Sequence, residues 1–361
     1  MKLCLVINPG STSTKVGVFS GTKLILAKTL SHSQDELAPF PAIVSQKEYR
    51  AGLIRNFLAE NSISPQDIKI IIAIAGLIAP GDAGVYEVNA DMLHDLEEAR
   101  YDEHAANLGA MIAATMAAEL GVKAYVADAI TVDEMEPVAR LSGIPEIVRQ
   151  GRSHTLNQKH TARMAARELG LRYEEAHLVV AHLGGGISVT AHRDGRMVDT
   201  NAARGEGPFC IDRSGGVNSF ELAKLCFSGR FSQKEMLRKI NGCGGVVAYL
   251  GTRDFREVEA HMNAGDKVAT DVFEAMAYQI AKEIAAMTVA LQGRTDAIVL
   301  TGGMANSARL CTRITGHVQY LAKVLVFPGE QELESLAEYA EAIQSGALTP
   351  KVYTRKDNKN V

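Results

Sequence analysis

The chain has 361 residues, too many for one simple core, so about two domains are expected. With 47% hydrophobic and 22% charged residues it has the composition of a globular enzyme. A formal net charge of −4 excludes the polybasic surface that nucleic acid or an anionic membrane would need as the main partner, which leaves a small ligand as the expected one.

In chain order, residues 2–30 read as strand, loop, strand, turn, strand: "KLCLVIN", "PGSTST", "KVGVF", "SGTK", "LILAKTL". A dinucleotide fingerprint or a Walker-type loop would need a helix after its small residues, and here a second strand follows instead. The apolar strand "IKIIIAIAGL" comes at 68–77, then an alanine-rich helix near 103–120 and "AYVADAI" at 124–130. The segment "LSGIPEIVRQGRS", 141–153, carries Gly143, Pro145 and Gly151 and is the candidate crossover between halves.

Residues 177–200 repeat the opening grammar as "HLVVAHLG", "GG", "ISVTAH", "RDGR", "MVDT". Helices follow near 219–227, 232–240, 254–263 and 267–291, then the strands "DAIVLTGG" and "KVLVFPG". One unit used twice, with near-continuous apolar strands between helices, predicts an α/β fold with sheets covered on both faces. The last helix, from about Glu332 to Ser345, is expected to pack back on the first domain, and the polar tail "TPKVYTRKDNKNV" to fray.

The five cysteines, Cys4, Cys210, Cys226, Cys243 and Cys311, are odd in number and never paired as C-x-x-C. They read as small buried hydrophobes in a reducing compartment rather than a disulfide framework or zinc site. Met1-Lys2 lead straight into a strand, and no later stretch approaches the roughly 18 apolar residues of a spanning helix, so a cytoplasmic location is expected.

Three loops carry the expected chemistry. "NPGSTST" and "HLGGG" join antiparallel strands, where Gly and Ser let backbone N–H groups face an anion. Either loop alone reads as a hairpin turn; two at equivalent places favour phosphate. "VLTGGMANS", 299–307, ends a strand with Gly302-Gly303 and begins a helix whose N-terminus favours negative charge.

Taken together, "NPGSTSTKVGVF", "HAANLGA", "VADAITVDEM", "HTLNQK", "AHLGGGISVTAHRDGRMVDTN", "GPFCIDRSGG", "GGVVAYLGTRD" and "LTGGMANS" resemble the acetokinase family, in its butyrate kinase (short-chain fatty acid kinase) branch. That family belongs to the superfamily of acetate kinase, sugar kinases and actin. The resemblance implies two duplicated actin-like (ribonuclease H-like) domains with mixed sheets flanked by helices and ATP in the interdomain cleft. It places the first domain at 1–145, joined by a C-terminal helix at about 335–361, and the second, nucleotide-binding domain at 146–334. The implied reaction is reversible transfer of the γ-phosphoryl of ATP to a short-chain carboxylate, giving ADP and acyl phosphate, with Mg2+. A dimer or higher homo-oligomer is implied as well.

Carried over residue by residue, the resemblance implies that Arg213 binds the carboxylate or the phosphoryl in flight, a task suited to its planar fork. It makes His154 a transition-state donor and His182 a phosphate or substrate contact. Asp128 is the implied catalytic acid, holding magnesium or orienting the acceptor, with Glu332 as the second magnesium-associated acid. Asn8, Ser11, Ser13 and Lys15 match the first phosphate loop; Gly184, Gly185 and Gly186 the second; Asp254, Gly302, Gly303 and Asn306 the nucleotide side. His104 and Asn107 correspond to the acyl-side helix.

One position departs from the pattern. Where the family carries an arginine that helps bind the carboxylate, "AIAGLIAP" places Ala73 and Ile74, so a charge-assisted contact worth about 1.5–3 kcal/mol is replaced or forgone. This keeps two alternatives in view: a catalytically weakened, nucleotide-binding regulatory paralogue, and a sugar kinase of the same superfamily.

Overall fold

Apolar runs with no polar alternation need cover on both faces, and the chain places them in the middle of two sheets. The computed structural model describes residues 2–355. Among these, the strands are β1 (Leu3–Pro9), β2 (Ser13–Ser20), β3 (Lys23–Ser31), β4 (Ile68–Ile74), β5 (Val85–Glu87), β6 (Lys123–Ala127), β7 (Leu178–Leu183), β8 (Ile187–Arg193), β9 (Arg196–Thr200), β10 (Ala297–Gly302), β11 (Lys323–Pro328) and β12 (Lys351–Val352). The chain divides into two units, Met1–Val132 with Gln331–Val361, and Asp133–Glu330.

In the first unit the strand order is β12-β5-β6-β4-β1-β2-β3. β1 pairs antiparallel with β2 and parallel with β4, which is parallel to β6. Every residue of β1 is buried, and every residue of β4 except Lys69. The helix Asn107–Leu120 lies against β4 and β6, and Glu332–Gln344 against β1 and β4. Gly109 sets the approach of the first of these helices, because a Cβ there would collide with the Ile74 carbonyl. Leu108, Met111, Ile112 and Met116 on the same helix are buried, each worth about 1.5–3 kcal/mol of transfer free energy.

The tail is anchored as far as it is described, against the expectation of fraying. β12 pairs parallel with β5, and the buried Tyr353 donates its hydroxyl to Asp95 Oδ2 at 2.7 Å while accepting from the Ala79 N–H at 3.1 Å. Residues 356–361 of that tail lie outside the described residues.

The second unit has strand order β11-β10-β7-β8-β9, with β7, β10 and β11 parallel and β7-β8-β9 an antiparallel meander. This repeats β6-β4-β1-β2-β3, the duplication that the sequence pattern predicts. The helix Lys267–Ala290, capped by Asp266 accepting from the Val268 and Ala269 N–H groups, lays Val272, Phe273, Met276, Ile280, Ile284 and Met287 into the core. Residues 133–145, expected with the first half, bond within the second: Asp133 pairs with Arg140, Glu134 with Lys159 at 2.7 Å, and the Glu136 N–H donates to the Val198 carbonyl at 2.9 Å.

All five cysteines are free; Cys4, Cys210 and Cys311 are buried as expected, whereas Cys226 is exposed. No helix among the described residues is long and apolar enough to cross a membrane.

Candidate active site

In the first unit, the carboxyl ends of the parallel strands bring Asn8, Ile74 and Asp128 to one edge of the sheet. Adjacent strands are about 4.8 Å apart, so Asn8 and Asp128 lie roughly 10 Å from each other, two strands over. Asn8 is buried, donates its amide to Glu332 Oε2, and pairs across the hairpin with Lys15, which puts both side chains on one face.

The loop at 9–13 is held from beneath. Arg50, 1% exposed, donates from Nη1 to the carbonyls of Gly10 (2.7 Å) and Ser13 (3.1 Å) and from Nη2 to that of Ser11 (3.1 Å), and is itself fixed by Gln46 Oε1. With those carbonyls drawn inward, Ser11 stays exposed and Ser13 half-buried at the loop surface. Sequence reasoning missed Arg50; nothing in a helix 40 residues away marks it.

Asp128 follows β6 with φ +44°, a left-handed conformation that Asp tolerates better than most residues. Its Oδ1 accepts the Gly84 N–H at 2.8 Å and its Oδ2 the Tyr339 hydroxyl at 2.6 Å, so a 2% exposed carboxylate is fixed on both oxygens. Tyr339 is a second partner the sequence did not reveal. Ile74 ends β4, 9% exposed, its backbone in register with Ala127.

Asn107 and His104 have tasks within the chain. Asn107 Oδ1 accepts the Leu77 N–H at 2.8 Å and its Nδ2 donates to the Asp102 carbonyl at 3.1 Å, which pins the turn just after Ile74. His104 Nδ1 accepts the Ala106 N–H at 3.1 Å, at the start of the same helix.

In the second unit, His182 comes near the end of β7 and His154 immediately precedes the helix Thr155–Glu168, its side chain making no capping bond. Their rings stack at 4.0 Å between centroids and 15° between planes. His154 Nδ1 meets Ser188 Oγ at 2.9 Å and His182 Nδ1 meets Asn157 Oδ1 at 2.7 Å. Burial first, then the neighbouring His182 and Arg213, hold His154 well below the usual histidine range, against an opposing pull from Glu330.

Arg213 passes directly over Gly186, where a Cβ would meet its guanidinium and the arginine would have to shift. One Nη1 hydrogen goes to the Ala203 carbonyl at 2.7 Å, and the buried Nε has no hydrogen-bond partner. The Asp212 carboxylate, with Oδ1 at 3.8 Å from that Nε, offsets part of the cost of burying it without a hydrogen bond.

A cavity of about 590 Å³ opens beside these groups, lined in part by Gly184, Gly185, Asp254, Gly303, Asn306 and Glu330. Five of these are among the residues expected on the phosphate and nucleotide side. Gly302, with φ +89°, is pressed against Leu183, where a Cβ would collide with the backbone. Asp254 caps the helix Phe255–Asn263, and its pairing with Arg256 draws its carboxyl down to about 2.

Among the described residues no group of three or more His, Cys, Asp or Glu side chains forms a metal cluster. Magnesium keeps several waters and takes one or two carboxylates; of the two expected for it, Asp128 has both oxygens bonded, by Gly84 and Tyr339, and Glu332 has Oε2 bonded by Asn8.

The model of the acetokinase family matches residues 139–340. The chain is 42% identical over 350 residues to a "Probable butyrate kinase" of Listeria monocytogenes serotype 4a, covering 97% of this chain and 99% of the relative. It is 44% identical over 349 residues to "Probable butyrate kinase 2" of Caldanaerobacter subterraneus subsp. tengcongensis, with the same coverage. Its fold is like that of acetate kinase from Porphyromonas gingivalis (TM-score 0.79, 18% identity, 95% of this chain and 100% of the other). It is also like a propionate kinase from Francisella tularensis (TM-score 0.75, 20% identity, 94% and 99%). The α/β duplication is thus the actin-like fold.

Proposed function

The chain belongs to the acetokinase family, and from that premise we propose that it transfers the γ-phosphoryl group of ATP to the carboxylate of a short-chain, butyrate-like fatty acid, releasing ADP and acyl phosphate, and runs the reverse transfer. The carboxylate oxygen forms the new bond to phosphorus as the bond to the β-phosphate oxygen breaks. Full-length likeness to butyrate kinases favours this reading over the regulatory and sugar kinase alternatives.

The observation that carries it is Arg213, whose guanidinium lies over Gly186 near the stacked His154 and His182, with a buried Nε that makes no hydrogen bond and has Asp212 Oδ1 at 3.8 Å. Phosphoryl transfer asks a protein for position and positive charge more than for covalent chemistry. Arg213 and His154 supply donors to the moving group, and His182 contacts phosphate. Gly184, Gly185, Gly186, Gly302, Gly303, Asn306 and Asp254 shape the nucleotide side. Asn8, Ser11, Ser13 and Lys15 form the other phosphate loop, which Arg50 keeps in shape. Asp128 and Glu332 would hold Mg2+ through its waters, and the ion would neutralise charge on the phosphates. Ile74, with His104 and Asn107 behind it, faces the acyl group. A homo-oligomer, as the family resemblance implies, in the cytoplasm, as the sequence reading expects, completes the picture.

The test is an acyl-hydroxamate assay with ATP, Mg2+ and carboxylates from acetate to hexanoate. Product with a short-chain acid supports the proposal; silence across the panel overturns it.

A further inference from the structure

The contact proposed for His154 needs a hydrogen-bond donor, and a neutral imidazole carries its single proton on one nitrogen or the other. A buried chain of side chains decides which. One end of the Gln158 amide faces two backbone carbonyls, Ser188 O at 2.9 Å and Val180 O at 3.3 Å, so that end is the NH2. The other end, Oε1, therefore faces His192 Nε2 at 3.1 Å, and that nitrogen carries the proton. His192 Nδ1 then accepts from the Tyr173 hydroxyl at 2.8 Å.

On the opposite side, Gln158 Nε2 lies 3.0 Å from Ser188 Oγ, so that its two hydrogens are shared among Ser188 O, Ser188 Oγ and the more distant Val180 O. The Ser188 hydroxyl proton has one acceptor left among the described residues, His154 Nδ1 at 2.9 Å. An Nδ1 that accepts leaves the proton of a neutral ring on Nε2. Gln158, Ser188 and His192 are all 0% exposed, so water does not compete for these bonds. The stacked neighbour is set the other way: Asn157 donates its amide to the Glu330 carbonyl at 2.6 Å, so its Oδ1 takes a proton from His182 Nδ1.

We propose that Tyr173, His192, Gln158 and Ser188 form a hydrogen-bond relay that fixes His154 in the Nε2–H tautomer, as a standing donor toward an anionic oxygen, with Ser188 and Gln158 as positioning residues. The identity of that oxygen rests on the kinase reading; the tautomer does not.

The experiment is 15N NMR of histidine-labelled enzyme, with the His154 signals assigned by their loss in His154→Gln. The wild type is expected to show a bare Nδ1 and a protonated Nε2; a protonated Nδ1 overturns the relay whether or not the enzyme phosphorylates carboxylates. In Ser188→Ala the signals should shift toward the other tautomer, and kcat should fall by about 10–100-fold, below the cost of deleting a transition-state donor outright, with KM little changed. Ser188→Thr, which keeps the hydroxyl, should restore both. If Ser188→Ala leaves tautomer and kcat unchanged, the relay is wrong. If Ser188→Ala does not fold, the wild-type spectrum still decides the matter. A wild type with the expected tautomer but no carboxylate kinase activity would sink only the kinase reading.

Discussion

Arg213 and Ile74 divide the question of how a carboxylate is held. Arg213 has its planar fork over Gly186 and a buried Nε that makes no hydrogen bond and has Asp212 Oδ1 at 3.8 Å. A lysine brings charge but one point donor, so Arg213→Lys is expected to lose nearly as much kcat/KM as Arg213→Ala, on the order of 100-fold or more. A Lys variant with wild-type activity would contradict a forked contact. Ile74 offers no charge at the end of β4 and makes that place apolar. Each methylene buried there is worth about 0.8 kcal/mol, roughly fourfold in kcat/KM, so activity should climb from acetate through butyrate and then fall at a longer or branched acid. A maximum at acetate would argue against Ile74 lining the acyl pocket. Ile74→Arg is expected to raise kcat/KM for acetate relative to butyrate; a loss for every acid would mean that the pocket has been rebuilt around isoleucine.

At the scale of elements, the helix Thr155–Glu168 and strand β8 carry His154 and His192 into low-dielectric surroundings. Both are held well below the usual histidine range, by burial first, then by His182 and Arg213 for His154 and by Lys159 and Arg163 for His192. Unfolded, each takes up a proton near pH 6.5. Below that pH the unfolded chain binds more protons than the folded one, so stability falls as pH drops, by up to about 1.4 kcal/mol per pH unit for each histidine. Urea midpoints between pH 7 and 5 should show this decline, and His192→Gln should make it shallower; an unchanged slope would mean that His192 is not neutral in the fold. The short strand β12 offers a second test. Tyr353→Phe removes the partner of the Ala79 N–H and of Asp95 Oδ2, and should cost about 1–3 kcal/mol by denaturant melts. No change in midpoint would show that the tail is not anchored there.

How far the sequence spoke also differs by element. The two meanders, the long helices at 219–290 and the Gly-Gly junction were legible because periodicity and turn chemistry are local. Gly184, Gly185 and Gly303, which line the cavity, stood in glycine loops that such local signals mark, whereas Asn306 was reached only through the family resemblance. Arg50, Tyr339, Tyr353 and Gln158 were not legible: Tyr339 reaches Asp128 from 211 positions away and Tyr353 reaches Asp95 from 258, and no pattern in a single chain marks such pairs. Tyr353 was hidden further by its polar neighbours, which made a docked strand look like a frayed end.

For the whole molecule, the second unit is one unbroken stretch of chain, Asp133–Glu330, whereas the first is built from both ends. The stretch 133–330 expressed alone is therefore expected to fold with a cooperative melt, and 1–132 alone is not, since it lacks Leu336, Ala337 and Ala340 of the covering helix, all 0% exposed in the full chain. A cooperative transition for 1–132 would contradict this.

That split has a meaning for the newborn chain on the ribosome. Strands β1 to β6 emerge first, yet the helix that covers β1 and β4, the carboxylate that meets Asn8, and the tyrosine that steadies Asp128 are made only after unit two. At about 5–20 residues per second, the first unit waits roughly 10–40 s with its sheet uncovered while about two hundred residues are added. Premature termination near residue 330 would thus release a finished second unit tethered to an uncovered sheet, the kind of nascent product that chaperones and proteases must deal with.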